Sequence, residues 1–168
     1  MRILGVDPGL ITTGYGIVEF CSSDMWLVEA GVVRSDTSLP LEQRLSALYD
    51  GIMEVFTEYR PDAMALEEIY SHYEYPKTAI LMGHARGVLC LAAAKCGVPV
   101  YSYSATHIKS VITGSGTASK QQVQRMIQER LDLSRVPRPN DVADALAVAI
   151  CHGNLTVLAS RSAGGVAP

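Results

Sequence analysis

The sequence predicts a single α/β domain built on a mixed sheet, with three antiparallel strands first and parallel strands after them. Three observations carry this. Three strand-like segments follow one another near the start, separated only by short polar turns. A helical stripe then leads to a short apolar run, Ala63-Met64-Ala65-Leu66, which reads as a central strand reached by a crossover and hence parallel to the first. The composition, 48% hydrophobic and 18% charged over 168 residues, suits one globular core and not a disordered chain.

The first strand runs from Ile3 into Asp7-Pro8-Gly9. Side chains alternate across a strand, so Ile3, Gly5 and Asp7 share one face while Leu4 and Val6 share the other. A carboxylate in so apolar a strand is costly to bury alone; Asp7 is either satisfied by hydrogen bonds or binds a cation. Gly14 to Phe20 reads as the second strand, joined in a hairpin across the loop Pro8 to Thr13. Trp26 to Arg34 reads as the third, ended by Ser35-Asp36-Thr37-Ser38. Leu41, Leu45, Leu48, Ile52, Val55, Phe56 and Tyr59 lie at helical spacing, with Pro40 suited to the first turn and Arg60-Pro61-Asp62 as the stop.

Glu67 closes the strand that follows, and a polar, aromatic-rich loop from Ser71 to Pro76 comes next. A long helix is expected from Lys77 to Lys95. Its Gly83 and Gly87 share one face and admit a close neighbour there, either the sheet or a second copy of the chain. Val98 to Tyr103 reads as another strand. Ser119 with Gln122 has the form of a capping box, opening a helix to about Leu131. Asn140 can cap a last helix, from Asp141 to about Cys151. The domain is therefore expected over residues 1–153, with 154–168 as a flexible tail.

The net charge of −3 argues at first against a nucleic-acid partner, but the distribution is uneven. Between Ala105 and Asn140 six basic residues stand against two acidic ones, a local +4 that leaves −7 for the rest of the chain. Local charge governs phosphate binding, and bound divalent cations cancel clustered acids. Cys21, Cys90, Cys96 and Cys151 lie far apart with no C-x-x-C pair, which argues against a structural zinc site and reads as small buried hydrophobes. Uninterrupted apolar runs are no longer than Val88 to Ala94, too short to span a bilayer, and a strand beginning at Ile3 is expected to leave no room for a signal peptide. A cytoplasmic protein is expected.

Asp141 and Asp144 are three apart and project from one face of a helix that is otherwise almost wholly apolar from Val142 to Ile150. They can be read as N-terminal acids favoured by the helix dipole, worth roughly 0.3–1 kcal/mol each. They can also meet Asp7 and Glu67, since ligands of open α/β sheets gather at the carboxyl ends of the strands. Four converging carboxylates repel unless cations lie between them, and hard oxygen donors suit Mg²⁺ or Mn²⁺.

The motifs themselves then point to a family. Asp7-Pro8-Gly9 with Thr13-Gly14-Tyr15-Gly16, Ala65-Leu66-Glu67, Ala85-Arg86-Gly87, Gly114-Ser115-Gly116-Thr117-Ala118-Ser119-Lys120 and Asp141-Val142-Ala143-Asp144-Ala145-Leu146-Ala147 together resemble the RuvC family. These are bacterial Holliday junction resolvases with an RNase H-like fold, and the likeness runs from Ile3 to about His152. It implies a homodimer that cuts two opposed strands of a four-way DNA junction symmetrically, in recombination and repair, alongside the branch-migration proteins RuvA and RuvB. It assigns catalysis and metal binding to Asp7, Glu67, Asp141 and Asp144, and DNA contacts to Lys109 and Lys120. Two Mg²⁺ ions, with Mn²⁺ as a substitute, are implied: one to activate water, the other to stabilise the departing 3′ oxygen, leaving a ligatable 5′-phosphate. Tyr70 stands where the family has an aromatic wedge, usually phenylalanine, three positions after the catalytic glutamate, and can stack on a base. Its alternative is packing on its own domain.

Glu68 and His84 stand where the family often has glutamine. His152, eight positions after Asp144, is poorly placed to ligate the same ion and reads as an accessory or structural residue; His72, His84 and His107 read as structural. Two other classes compete. Actin-like and sugar-kinase ATPases open with a similar strand and loop, but they usually carry two such domains, and no G-x-x-x-x-G-K-[ST] occurs here. A non-cleaving junction binder would gain nothing from four acids beside phosphates.

Overall fold

The computed structural model describes residues 1–22, 24–68 and 76–163. Five strands form one sheet: β1 (Arg2–Asp7), β2 (Thr12–Cys21), β3 (Asp24–Arg34), β4 (Ala63–Glu67) and β5 (Val100–Tyr103), in the order β3-β2-β1-β4-β5. β1 is antiparallel to β2 and β2 to β3, whereas β4 runs parallel to β1 and β5 parallel to β4. The expected mixed sheet is thus present.

Alternation along the strands divides the core in two. Leu4, Val6, Ile17, Met64 and Leu66 face α1 (Leu41–Tyr59) and α2 (Pro76–Lys95). Ile3, Val18, Phe20 and Ala65 face α3 (Ala105–Thr113), α4 (Lys120–Arg130) and α5 (Asn140–Ala163). Asp7 and Glu67 continue the second pattern, so period-two geometry alone directs both acids to the α5 side.

Five sequence expectations need correction. Of the cysteines expected to be buried, only Cys151 is; Cys21 and Cys96 are exposed and Cys90 is partly covered. α3 was not foreseen: it is a short helix with Ser104 as N-cap, accepting from the His107 N–H, and Gly114 in the left-handed region at its end. α5 continues through Ala163 and does not stop near Cys151, because Leu155 and Val157 still find apolar partners against the core. Asn140 does not cap it; it is already helical, and its Oδ1 accepts from Gln124 Nε2 at 3.1 Å. Gly83 and Gly87 do not pack on the sheet, since a Cβ at either would meet nothing within 4 Å. The Ser119–Gln122 capping box is formed as expected.

α5 is the central element. From Asn140 to Ala159 its length and mean hydropathy of 1.6 would let it cross a membrane. Its apolar surface from Val142 to Cys151 is instead almost entirely buried within the fold, apart from Asp144.

Candidate active site

β1 and β4 are parallel and paired as far as Val6 and Leu66, so Asp7 and Glu67 leave the sheet side by side at its carboxyl edge. Asp7 is also paired with Gly14 of β2. A Cβ on Gly14 would overlap the backbone of Asp141, so glycine here lets the first turn of α5 lie directly on the strand. Gly5 does the same lower down, where a Cβ would run into Ala145 and Ala149. Helix periodicity then brings Asp144 to the same edge as Asp141.

Two further contacts fix the acid-bearing segments. The buried Thr13 hydroxyl donates to the Gly9 carbonyl at 2.5 Å and accepts from the Gly9 N–H at 3.3 Å, pinning the loop that Asp7 enters. Arg86 of α2 donates to the Glu67 carbonyl at 2.7 Å and to Ser102 Oγ at 2.6 Å, tying the ends of β4 and β5 together. Neither role was foreseen, although a lone arginine in the apolar middle of α2 was a signal that could have been read.

The acids border a set of adjoining depressions. One of about 480 Å³ is lined by Asp7, Glu67, Glu68 and Asp144, with Met82 and Thr106. A smaller one of about 210 Å³ shares Glu67 and Asp144 and adds Lys109 and Lys120. Asp141 lies on the opposite flank, in a depression of about 560 Å³ shared with Asp7. Lys120 Nζ reaches Asp144 Oδ2 at 2.6 Å.

Electrostatics mark Asp7 as the hub. Burial, then the charges of Asp144, Glu67 and Asp141, push its carboxyl up to about 7, against a smaller opposing effect of Lys120. Glu67 is raised by burial and by Asp144, with Lys120 and Lys109 opposing. Burial works against the Lys120 ammonium, but the Asp144 hydrogen bond and the surrounding acid charges outweigh it and raise its pKa. Among the described residues, no three His, Cys, Asp or Glu side chains form a ready-made cage for an ion. The donor set is nevertheless hard oxygen carrying an excess of negative charge, which suits divalent cations.

Four carboxylates therefore come together, with Lys120 against one and Lys109 beside them. Tyr70 and the loop 71–75 lie outside the described residues. His152 is not part of the cluster. It is buried, its Nδ1 lies 2.6 Å from Tyr103 Oη, and the Tyr101 ring stacks on it at 4.2 Å. Burial lowers its pKa.

A mixed β3-β2-β1-β4-β5 sheet with acids from β1, β4 and the helix crossing them defines the class: a nuclease of the RNase H-like fold. A family model described as Crossover junction endodeoxyribonuclease RuvC matches residues 3–152. The protein of that name from Rhodopirellula baltica is 52% identical over 149 residues, covering 89% of this chain and 84% of its own. That from Desulforamulus reducens is 45% identical over 152 residues, covering 90% and 93%. The structure of Thermus thermophilus RuvC in complex with Holliday junction substrate superposes with a TM-score of 0.90 at 32% identity, covering 95% of this chain and 97% of that one. The chain belongs to the RuvC family and is a crossover junction endodeoxyribonuclease.

Proposed function

We propose that this chain resolves four-way DNA junctions as a homodimer, each protomer hydrolysing one of two opposed strands at the acid cluster. The observation that carries the reading is the convergence of Asp7, Glu67, Asp141 and Asp144 on one edge of the sheet, with Asp7 pushed up to about 7 by burial and then by its acidic neighbours. Nucleases of this family are metal-dependent. In this reading Asp7, Glu67, Asp141 and Asp144 hold two Mg²⁺ ions, for which Mn²⁺ substitutes. When bound, such ions supply an activated water and neutralise charge at the scissile phosphate and the departing 3′ oxygen.

The chain's own residues do the rest. Asp7 is shared between the acids of β4 and those of α5. Arg86 holds the Glu67 backbone and Thr13 holds the loop after Asp7, so both carboxylates are positioned before substrate arrives. Lys109 and Lys120 flank the acids on the α3–α4 side and neutralise DNA phosphates there. Attack of water at phosphorus with departure of the 3′ oxygen would leave 5′-phosphate nicks that a ligase can seal. Tyr70, three residues after Glu67, stacks on a base at the junction.

The dimer reading rests on α2. Its inner face buries Ala85, Leu89, Ala92 and Ala93, while Ile80 and Leu91 are 61% and 52% exposed, on either side of the open Gly83 and Gly87. An apolar stripe broken by two glycines suits close contact with a second copy of the same helix. Cooperation with branch-migration proteins of the RuvA and RuvB kind, and a cytoplasmic location, belong to the same reading.

The test is cleavage of a labelled mobile four-way junction, with matched linear duplex as control, in Mg²⁺ and in EDTA. Paired, ligatable nicks on the junction alone, abolished by EDTA, are expected. Binding without cutting across several junction sequences would overturn the catalytic reading.

A further inference from the structure

Both lysines assigned to DNA lie on one side of the acids, in the depression bordered by Glu67 and Asp144. A DNA strand crossing the cluster must continue past the other side, where Asp7 and Asp141 border a cleft of about 560 Å³ with Gly9, Ile11, Thr78 and Arg44. Among the described residues, Arg44 is the one cation lining that cleft.

Arg44 is half-buried on α1, and its guanidinium is held at one corner. Nε donates to Ser35 Oγ at 3.3 Å, and the Ser35 hydroxyl in turn donates to the Leu10 carbonyl in the β1–β2 loop. The only ion pairs among the described residues are Arg2–Glu19 and Lys120–Asp144, so no described carboxylate reaches the Arg44 guanidinium at ion-pair distance. Asp36, whose Oδ1 accepts from the Ser38 N–H and hydroxyl at 2.8 Å each, lies close enough for Arg44 to help lower its pKa but makes no ion pair with it. A guanidinium oriented through Nε keeps its two terminal nitrogens free to fork onto a phosphate, the geometry arginine suits best.

We propose that Arg44 is a phosphate anchor for the cleaved strand, gripping a phosphodiester on the side of the acid cluster opposite Lys109 and Lys120. The strand is then held at both flanks, and the scissile phosphate is stretched across Asp7 between them. Held from one side only, a flexible strand is free to swing away from the acids; two grips remove that freedom before reaction. The inference rests on the junction-cleaving reading.

The experiment measures junction affinity by fluorescence anisotropy in EDTA, at several salt concentrations, for wild type, Arg44→Gln, Arg44→Lys and Ser35→Ala. Arg44→Gln is expected to weaken binding about tenfold and to lower the slope of log affinity against log salt by about one per protomer. Arg44→Lys keeps the charge and restores the slope, and Ser35→Ala leaves it unchanged. A wild-type slope in Arg44→Gln overturns the anchor; so does an equal loss in Ser35→Ala, which would make Arg44 a brace for the loop. A second measurement needs no variant: on wild-type protein, neutral methylphosphonates replace single phosphates along both flanks of the cut. Loss of affinity on both flanks is expected, and loss on one flank alone overturns the proposal. Failure of wild type to bind the junction at all would overturn the junction-cleaving reading and the anchor with it, whereas a wild-type slope in Arg44→Gln overturns the anchor alone.

Discussion

Asp7 and Gly14 are paired across the first hairpin, and Gly14 is the point on which the first turn of α5 rests. The edge that gathers the four acids thus depends on a missing side chain as much as on the carboxylates. In Gly14→Ala the new Cβ meets the Asp141 carbonyl and Cβ, so either β2 or α5 must shift. The expected cost is about 1–3 kcal/mol of stability, as for other overpacked cores. Cleavage is expected to fall at least tenfold, as Asp141 and Asp144 move from Asp7. Thermal unfolding and junction cleavage measure the two; an unchanged Tm with full activity would contradict the close packing.

The raised carboxyl of Asp7 gives the metal-free protein a definite pH dependence. In the unfolded chain this group ionises near 3.8, whereas in the fold it does so near 7. The unfolded state therefore releases its proton first, and stability present at low pH is lost as pH rises from about 4 through about 7. Glu67 is raised as well and acts in the same direction. In EDTA, Asp7→Asn is expected to melt a few degrees above wild type at pH 8, with the gap closing near pH 4. The same variant is expected to abolish cleavage while still binding the junction. Loss of the thermal gap at pH 8, or retained cleavage, would refute the assignment of Asp7 as the hub.

The antiparallel start of the sheet, the parallel return of β4 and the four candidate acids were legible in the sequence because they follow largely from short-range rules. Alternation placed Asp7 on one face of its strand, the parallel return of the next central strand set Glu67 beside it, and the three-residue spacing of Asp141 and Asp144 placed those two on one helix face. Less legible were features that depend on what lies opposite. α3 carried its own signals, Ser104, Ile108, Ile112 and Gly114, but its nine residues are too few for periodicity to stand out. The end of α5 was misplaced because Leu155 and Val157 are covered by neighbours that only the fold supplies. The outward direction of Gly83 and Gly87 could not be read from a helix with apolar residues on both faces. Arg86 and Thr13 act through backbone carbonyls distant in sequence or in a loop, which no motif announces.

Lys120 stands against Asp144 where the reading puts cations. The pair is half-exposed on the lysine side, so its loss should change stability by less than about 1 kcal/mol. Its effect on ion binding is larger, because a fixed positive charge beside the acids opposes a divalent cation. Lys120→Gln is expected to bind Mn²⁺ more tightly by calorimetry, on the order of tenfold. It is also expected to bind the junction more weakly, with a salt slope reduced by about one per protomer. Unchanged Mn²⁺ affinity would mean that Lys120 leaves Asp144 freely and exerts no hold on the site.

The outer face of α2 separates the roles of one protomer and two. Among the described residues a Cβ at Gly83 or Gly87 meets nothing within 4 Å, so Gly83→Ala should gain up to about 1 kcal/mol of helix stability in an isolated protomer. Gly87→Glu adds a charge to a stripe bounded by Ile80 and Leu91 without disturbing the inner face, where Ala85 and Leu89 are fully buried. If two copies meet along this stripe, two like charges are forced together at its centre and the dimer separates. Sedimentation should then report a folded monomer with an unchanged circular dichroism spectrum. On a four-way junction, paired opposed nicks should give way to single, uncoordinated ones at a much lower rate, since each acid cluster is intact but the two are no longer held in register. A Gly87→Glu protein that still sediments as a dimer and cuts in pairs would move the interface elsewhere.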